Sequence, residues 1–275
     1  MSPADAPDCD YVIVGSGAGG GPLAARLAEH GMRVVLIEAG GDPCDKNQPR
    51  LPEDYEVPAF HAFASENPAM AWNFYVNHYA DPATAARDPK CTHDGILYPR
   101  SGALGGCTAH NAMIFMTAHD SDWDGVAELT GDDSWSARAM RKWFRRLEDC
   151  RHRPIWRLLS QLGLDPTGHG WNGWLSIERS RPEDAWRDKL LVWTMIDSAL
   201  AALHGIPGWL ASLRRLLLGK GDPNDARTDG GEGVWYAPLS TSGHRRAGTR
   251  ERVLAVAARY PERLRVELDA LATRV

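Results

Sequence analysis

Hydrophobic positions along this chain change period several times, and each change marks an element. Tyr11-Val12-Ile13-Val14 is an unbroken apolar run, the pattern of a strand buried on both faces. An alanine-rich stretch from about Ala18 to His30 predicts a helix, and the β-branched run Arg33 to Ile37 predicts a second strand that ends in Glu38. Met70 to Val76 alternates as a short strand, and so does Trp174 to Ile177. Met140, Trp143, Phe144 and Leu147 fall at i, i+3, i+4 and i+7, one apolar helical stripe behind Ser136 as its cap. Residues 184–218 read as two helices in a hairpin, broken at Gly205-Ile-Pro207-Gly208. Thr249 caps a last helix that Pro261 stops, and Leu264, Val266 and Leu268 then alternate as a strand. Residues 42–70 have no period and are rich in Pro, Asp and Asn. A loop of that length usually wraps a cofactor or covers a site.

The first three elements form a βαβ unit with Gly15-x-Gly17-x-x-Gly20 at its turn. Gly15 allows the tight exit from the strand. Gly17 lets a pyrophosphate approach the backbone, Ala18 opens the helix, and Gly20 lets helix and strand pack closely. The amide groups and the positive end of the helix dipole face the phosphates. Glu38 accepts hydrogen bonds from ribose hydroxyls and disfavours a 2′-phosphate, so NADP is not expected. Ala24 and Gly31 are the small residues expected where helix crosses sheet. This stretch predicts a dinucleotide and leaves NAD and FAD open. Further on, Gly102-Ala-Leu104-Gly105-Gly106 permits close backbone approach to a flat or charged group, which Cys107, Thr108, His110 and Asn111 would face.

Composition narrows the class. The chain has 275 residues, 43% hydrophobic and 24% charged, as in a soluble globular protein. A net charge of −5 argues against nucleic acid as a partner, and the arginines around Phe144 read as a solvated helix face. Five scattered cysteines (Cys9, Cys44, Cys91, Cys107, Cys150) have no metal-ligand pairing, so no metal is expected and a reducing cytoplasm is. No signal peptide is expected before the first strand, and the stretch from Leu190 to Leu218, with few charges but broken at Gly205-Ile-Pro207-Gly208 into halves too short to span, is read as a helical hairpin and not as a membrane span. Asp120 to Gly131 begins like a calcium loop but lacks the twelfth-position Glu. Gly219-Lys220-Gly221 lacks the Ser or Thr of a phosphate loop.

Three separated stretches together resemble the glucose–methanol–choline (GMC) family of FAD-dependent alcohol oxidoreductases. They are the βαβ unit with Glu38-Ala-Gly, the segment Pro99-Arg100…Leu104-Gly105-Gly106-Cys107-Thr-Ala-His110-Asn111, and Gly243-His-Arg-Arg-Ala-Gly248-Thr-Arg leading to Leu268-Asp-Ala-Leu-Ala-Thr-Arg-Val275. The resemblance implies FAD rather than NAD. It implies an α/β fold: a Rossmann-like FAD-binding domain in residues 1–160, part of an α+β substrate-binding domain in 161–243, and a return to the FAD domain in 244–275. It sets Gly105 and Gly106 against the flavin, Asn111 near the isoalloxazine, and the Ala272 backbone at the adenine. Trp72, Arg100, Gly102 and Leu104 join the cofactor set.

His110 matches a histidine that choline oxidase-like members bond covalently to the flavin; the alternative is a histidine that only hydrogen-bonds near it. The implied reaction is choline dehydrogenase-like oxidation of a small alcohol to an aldehyde, with hydride passing to flavin N5 and electrons then to oxygen or a carrier. The family's catalytic histidine lies in a C-terminal region this sequence does not include. The chain is therefore expected to be a truncated N-terminal portion, and none of its residues is assigned as catalytic. A non-catalytic FAD-binding fragment is the alternative. An NAD-dependent dehydrogenase would fit the βαβ unit but not residues 105–111.

Overall fold

Three short parallel strands hold the amino-terminal unit together. In the computed structural model, which describes residues 8–45, 51–93, 95–179, 189–204, 221–228 and 235–274, β1 (Tyr11–Val14) pairs with β2 (Val34–Ile37), and β2 pairs with Leu264–Glu267. Tyr11 and Leu264 both sit in register with Val34. α1 (Gly20–Glu29) and the helix Thr249–Arg259 pack together on this sheet. Their core is Ala24, Ala25, Ala28, Val34, Leu36, Leu104, Val253, Val256 and Leu264, all buried. Its three alanines all lie on α1, where that helix meets the second helix and the sheet.

The expected elements are present with shifted ends and some changed roles. β1 is the outer strand, so Tyr11, Val12 and Val14 are about half exposed rather than buried on both faces. α1 starts at Gly20, not Ala18. Gly31 serves the turn after α1, with φ +92°, rather than helix–sheet packing; a Cβ there would meet nothing. Thr249 is the first residue of its helix and is buried, not its cap. Gly248 holds the cap position, and its N–H donates to Glu251 Oε2 over 2.8 Å. A second sheet in this unit is antiparallel: Ala71–Val76 pairs with Gly95–Ser101, which pairs with Cys91–Thr92.

The chain forms two compact units, one reaching Met113 and resuming at Arg245, the other running from Ile114 to His244. The sequence reading put the change near residue 160. The second unit has a sheet of its own, in which Glu148–Cys150 runs parallel to Leu175–Arg179 and Pro238–Ser242 runs antiparallel to it. Its helices include Asp120–Thr130, Ala137–Leu147, Pro154–Ser160 and Lys189–His204. The calcium-like stretch is thus a helix, not a loop. Ser136 takes the cap position before Ala137, but its hydroxyl donates to the Asp133 carbonyl. Trp143 leaves the apolar stripe for solvent, between Lys142 and Arg146, while Phe144 packs on Phe115 and Trp123. The second half of the predicted helical hairpin lies outside the described residues. Among those described, no helix is long and apolar enough to cross a membrane.

Candidate functional site

The two glycine-rich stretches predicted to serve a cofactor meet in the first unit. Gly15 leaves β1 with φ +90°, and its N–H donates to the Ile37 carbonyl over 2.8 Å. A Cβ on Gly20 would overlap the Gly15 carbonyl oxygen, so helix and turn approach as closely as the fingerprint implies. Gly105 and Gly106 both have positive φ, +103° and +53°. A Cβ on Gly106 would lie 2.7 Å from Gly17 Cα, so the two loops touch backbone to backbone.

Gly17, unlike Gly20 and Gly106, is not crowded. A Cβ on it would meet only Gly106 Cα, at an ordinary 3.9 Å. The protein itself does not require glycine there. No side chain caps the start of α1, and its first turn holds no acidic residue. A bare backbone at an uncapped helix start is the shape an anion needs.

Glu38 takes a role beyond the one expected of it. Its carboxylate is buried, and Oε2 accepts from the Ser16 N–H (2.8 Å) and hydroxyl (2.5 Å). The same hydroxyl accepts from the Gly105 N–H over 2.9 Å. Glu38 thereby ties the end of β2 to both glycine loops. Its other oxygen has a 3.3 Å contact with the Gly40 N–H.

Gly102 donates to the Met70 carbonyl, and the Leu104 N–H donates to the Gly41 carbonyl. Trp72 lies so close over Gly102 that a Cβ there would sit 2.5 Å from its indole nitrogen. Arg100 is exposed and bonds the hydroxyl of Tyr98, over whose ring it lies. Ala272 is exposed, beyond the Ala270 N–H that donates to the Glu38 carbonyl over 3.0 Å. Gly15, Gly17, Ala18, Gly20, Glu38 and Gly102 to Asn111 are therefore assembled by the loops, whereas Arg100 and Ala272 stand at their margin.

Arg246 was quoted in the third stretch but not singled out, and it anchors this site. It is almost fully buried. Its Nε donates to the Tyr55 carbonyl, and its Nη1 donates to the Thr108 carbonyl, the Asn111 carbonyl and Asn111 Oδ1. Its Nη2 is buried and has no hydrogen-bond partner among the described residues. No local pattern separates Arg246 from Arg245, which pairs with Glu56 and is exposed. Thr108 closes the arrangement: its hydroxyl donates to the Gly105 carbonyl and accepts from the Thr249 N–H.

His110 ends the short helical turn Gly106–Ala109 and is partly buried. Burial, and then the charges of Arg246 and Arg100, hold its imidazole below the usual histidine pKa. The ring is therefore neutral at pH 7, with a free electron pair. Asp42 and Arg250 pair over 2.6 Å beside Cys44, whose thiol burial pushes up to about 11. That thiol stays protonated and carries no chemistry.

Comparison with known proteins gives the same outline. Residues 13–76 match the model of an NAD(P)-binding Rossmann-like domain. A dehydrogenase, eriK, of Hericium erinaceus is 32% identical over 164 residues, covering 60% of this chain and 25% of that protein. An oxygen-dependent choline dehydrogenase of Rhizobium etli is 31% identical over 140 residues, 50% of this chain and 22% of its own length. The chain thus spans about a quarter of the curated relatives it matches. A pyridoxine 4-oxidase from Mesorbium loti shares the fold with a TM-score of 0.63 at 24% identity, over 95% of this chain and 42% of its own. A formate oxidase does so with a TM-score of 0.63 at 18% identity, over 95% and 38%.

Proposed function

This chain belongs with the N-terminal part of the GMC family of FAD-dependent oxidoreductases, and from that premise we propose that its first unit binds FAD for the oxidation of a small alcohol. The observation that carries the reading is Gly17: bare although the protein has room for a side chain, at an uncapped helix start, against Gly106. The pyrophosphate would lie there, with Gly15, Ala18 and Gly20 shaping the turn. Glu38 and the Ala272 backbone would hold the adenosine side. Gly102, Leu104, Gly105, Gly106 and Asn111, with Trp72 and Arg100 at the rim, would meet the flavin side. The unpartnered Nη2 of Arg246 supports a bound group that supplies acceptors.

Bound FAD would supply the hydride acceptor, at flavin N5, for an alcohol carbon whose hydroxyl proton a base removes. The residues of this chain bind and orient. Arg246 holds the Asn111 side chain by its oxygen, which turns the amide NH₂ away from the guanidinium. His110, neutral and flanked by two arginines, is the proposed point of covalent attachment. A neutral nitrogen with a free electron pair is what such a bond requires. Choline and related alcohols are the proposed substrate class, by likeness to the choline dehydrogenase relative. The domain roles are proposed with the limits given above: residues 1–160 and 244–275 for FAD, 161–243 for the start of a substrate region. Oxygen or a carrier would take the electrons, and the cytoplasm is the proposed location.

A second reading is a chain that binds FAD without turning over substrate. The half-exposed Tyr11, Val12 and Val14 of β1 favour it, because a parallel strand is ordinarily covered on both faces. The visible absorption spectrum of the purified chain, before and after acid precipitation, tests both. A flavin band that stays with the pellet, and is lost in His110→Ala, supports FAD and the covalent bond. A band released to the supernatant keeps FAD and removes the bond. No band after incubation with added FAD overturns the proposal. A flavin band without alcohol-dependent bleaching leaves the second reading.

A further inference from the structure

The second unit buries a cluster of metal-ligating side chains, and we propose that it is a structural zinc site formed by Glu148, Cys150 and His169. One donor atom from each lies within 4.8 Å of the other two, and all three residues are buried. The inference is independent of the flavin.

The local structure explains how the donors meet. Glu148 and Cys150 are two apart on one strand, so their side chains leave it on the same face. Asp149 points the other way, to Arg151 and Arg157. His169 arrives on the loop Gly168-His169-Gly170. A Cβ on Gly170 would overlap the Arg145 carbonyl oxygen, so only glycine seats that loop against the strand. The Gly170 N–H donates to Glu148 Oε2 over 2.8 Å, which fixes the carboxylate.

The second shell is the arrangement expected around ligating histidines, whose other ring nitrogen commonly donates to a carboxylate. His169 turns Nδ1 to Glu148 Oε1 (2.9 Å) and Nε2 to Asp222 Oδ2 (3.1 Å). Arg153 Nη1 also lies 3.1 Å from Nε2. His152 places Nε2 on Asp222 Oδ2 (2.9 Å) and Nδ1 3.7 Å from Cys150 Sγ and 3.3 Å from the Ile177 carbonyl. The Tyr236 hydroxyl donates to Asp222 as well. In a tetrahedral zinc site a sulfur and a nitrogen ligand stand about 3.5 Å apart, so His152 is close to the fourth position.

Arg153 and Arg227 neutralise Asp225, and Arg151 and Arg157 neutralise Asp149. Glu148 faces the His169 imidazole, and Asp222 faces His152, His169 and, at 3.5 Å, Arg153. Zinc bound by one thiolate and one carboxylate forms a neutral first shell, which suits a buried position. Cys150 would lose its proton to solvent on binding, with no change of oxidation state. A mixed thiolate, imidazole and carboxylate set selects zinc over calcium or magnesium, which require oxygen ligands.

The test is elemental analysis of the full chain, purified from zinc-replete cells and dialysed without chelator. One zinc per chain is expected, with a loss of at least tenfold in Cys150→Ser and in Glu148→Gln. Because loss of zinc in a variant that does not fold would be uninformative, the wild-type chain is also reloaded with cobalt(II). A thiolate-to-cobalt charge-transfer band in the near ultraviolet is expected. Substoichiometric zinc together with no such band overturns the proposal and leaves a hydrogen-bonded cluster of protonated imidazoles. Full zinc retention in folded Cys150→Ser or Glu148→Gln overturns it as well.

Discussion

Around Gly17 the first unit offers backbone, while around His169 the second offers side chains. In the first unit the polar groups are amides, one uncapped helix start and, beside Asn111, a guanidinium nitrogen with no acceptor among the described residues. At His169 the side chains bond one another, Glu148 to His169 and Asp222 to both His152 and His169. The first arrangement asks for acceptor atoms from outside; the second, on the zinc proposal, offers a cation one thiolate, one imidazole and one carboxylate. Anions are recognised by amides and helix ends without a charged side chain. Cations need anionic ligands that are costly to bury alone. The difference separates a site for a large exchangeable cofactor from one that helps to hold its unit together.

The largest effect that would test this division is at Gly20. Gly20→Ala drives a methyl group into the Gly15 carbonyl, against backbone that cannot yield. It is expected to destabilise the first unit by about 3 kcal/mol, read as a lower denaturant midpoint. An unchanged midpoint would mean that turn and helix start are not packed as described.

Arg246→Met comes next. It strips the Tyr55, Thr108 and Asn111 carbonyls of a buried charged donor. A loss of about 2 kcal/mol is expected, together with weaker FAD binding. If stability falls and affinity does not, Arg246 supports the loop without serving the cofactor.

The first site was legible in the sequence because its chemistry is local. Gly15, Gly17 and Gly20 carry a turn within six residues, and Glu38 follows at the end of the next strand. What was not legible is that Glu38 binds Ser16, and through it Gly105, since that requires the fold. Arg246 was hidden by its twin Arg245. The second cluster was invisible for the same physical reason. Cysteine spacing shows no metal pair, because Cys150 finds its partners in His169 and Glu148, and Asp222 comes from far along the chain. The exposure of β1 is not legible in Tyr11 to Val14, because an apolar run cannot tell an inner strand from an outer one.

Gly17→Ala sharpens the comparison most directly. The added methyl fits, so stability is expected to change by less than about 0.5 kcal/mol. FAD affinity is expected to fall at least about tenfold, or about 1.4 kcal/mol, measured by quenching of flavin fluorescence. Equal loss of stability and affinity would make Gly17 an ordinary packing residue.

The smallest effect is the titration of His110. Burial and the charges of Arg246 and Arg100 hold its folded pKa below the value in the unfolded chain. Where a base has the lower pKa in the folded state, the unfolded chain binds more protons, so stability is full above the unfolded pKa of about 6.5 and declines as pH falls through it. The expected readings are a histidine proton resonance with a midpoint below 6.5 and a slight loss of stability on acidification, both absent in His110→Ala. Arg100→Gln removes the more exposed of the two charges and should move the midpoint upward without a change in fold. A midpoint that stays put would leave burial and Arg246 as the whole cause. A midpoint above 7 in the wild type would mean a mostly protonated ring at neutral pH, with no electron pair for a covalent bond, and would take His110 out of the cofactor site.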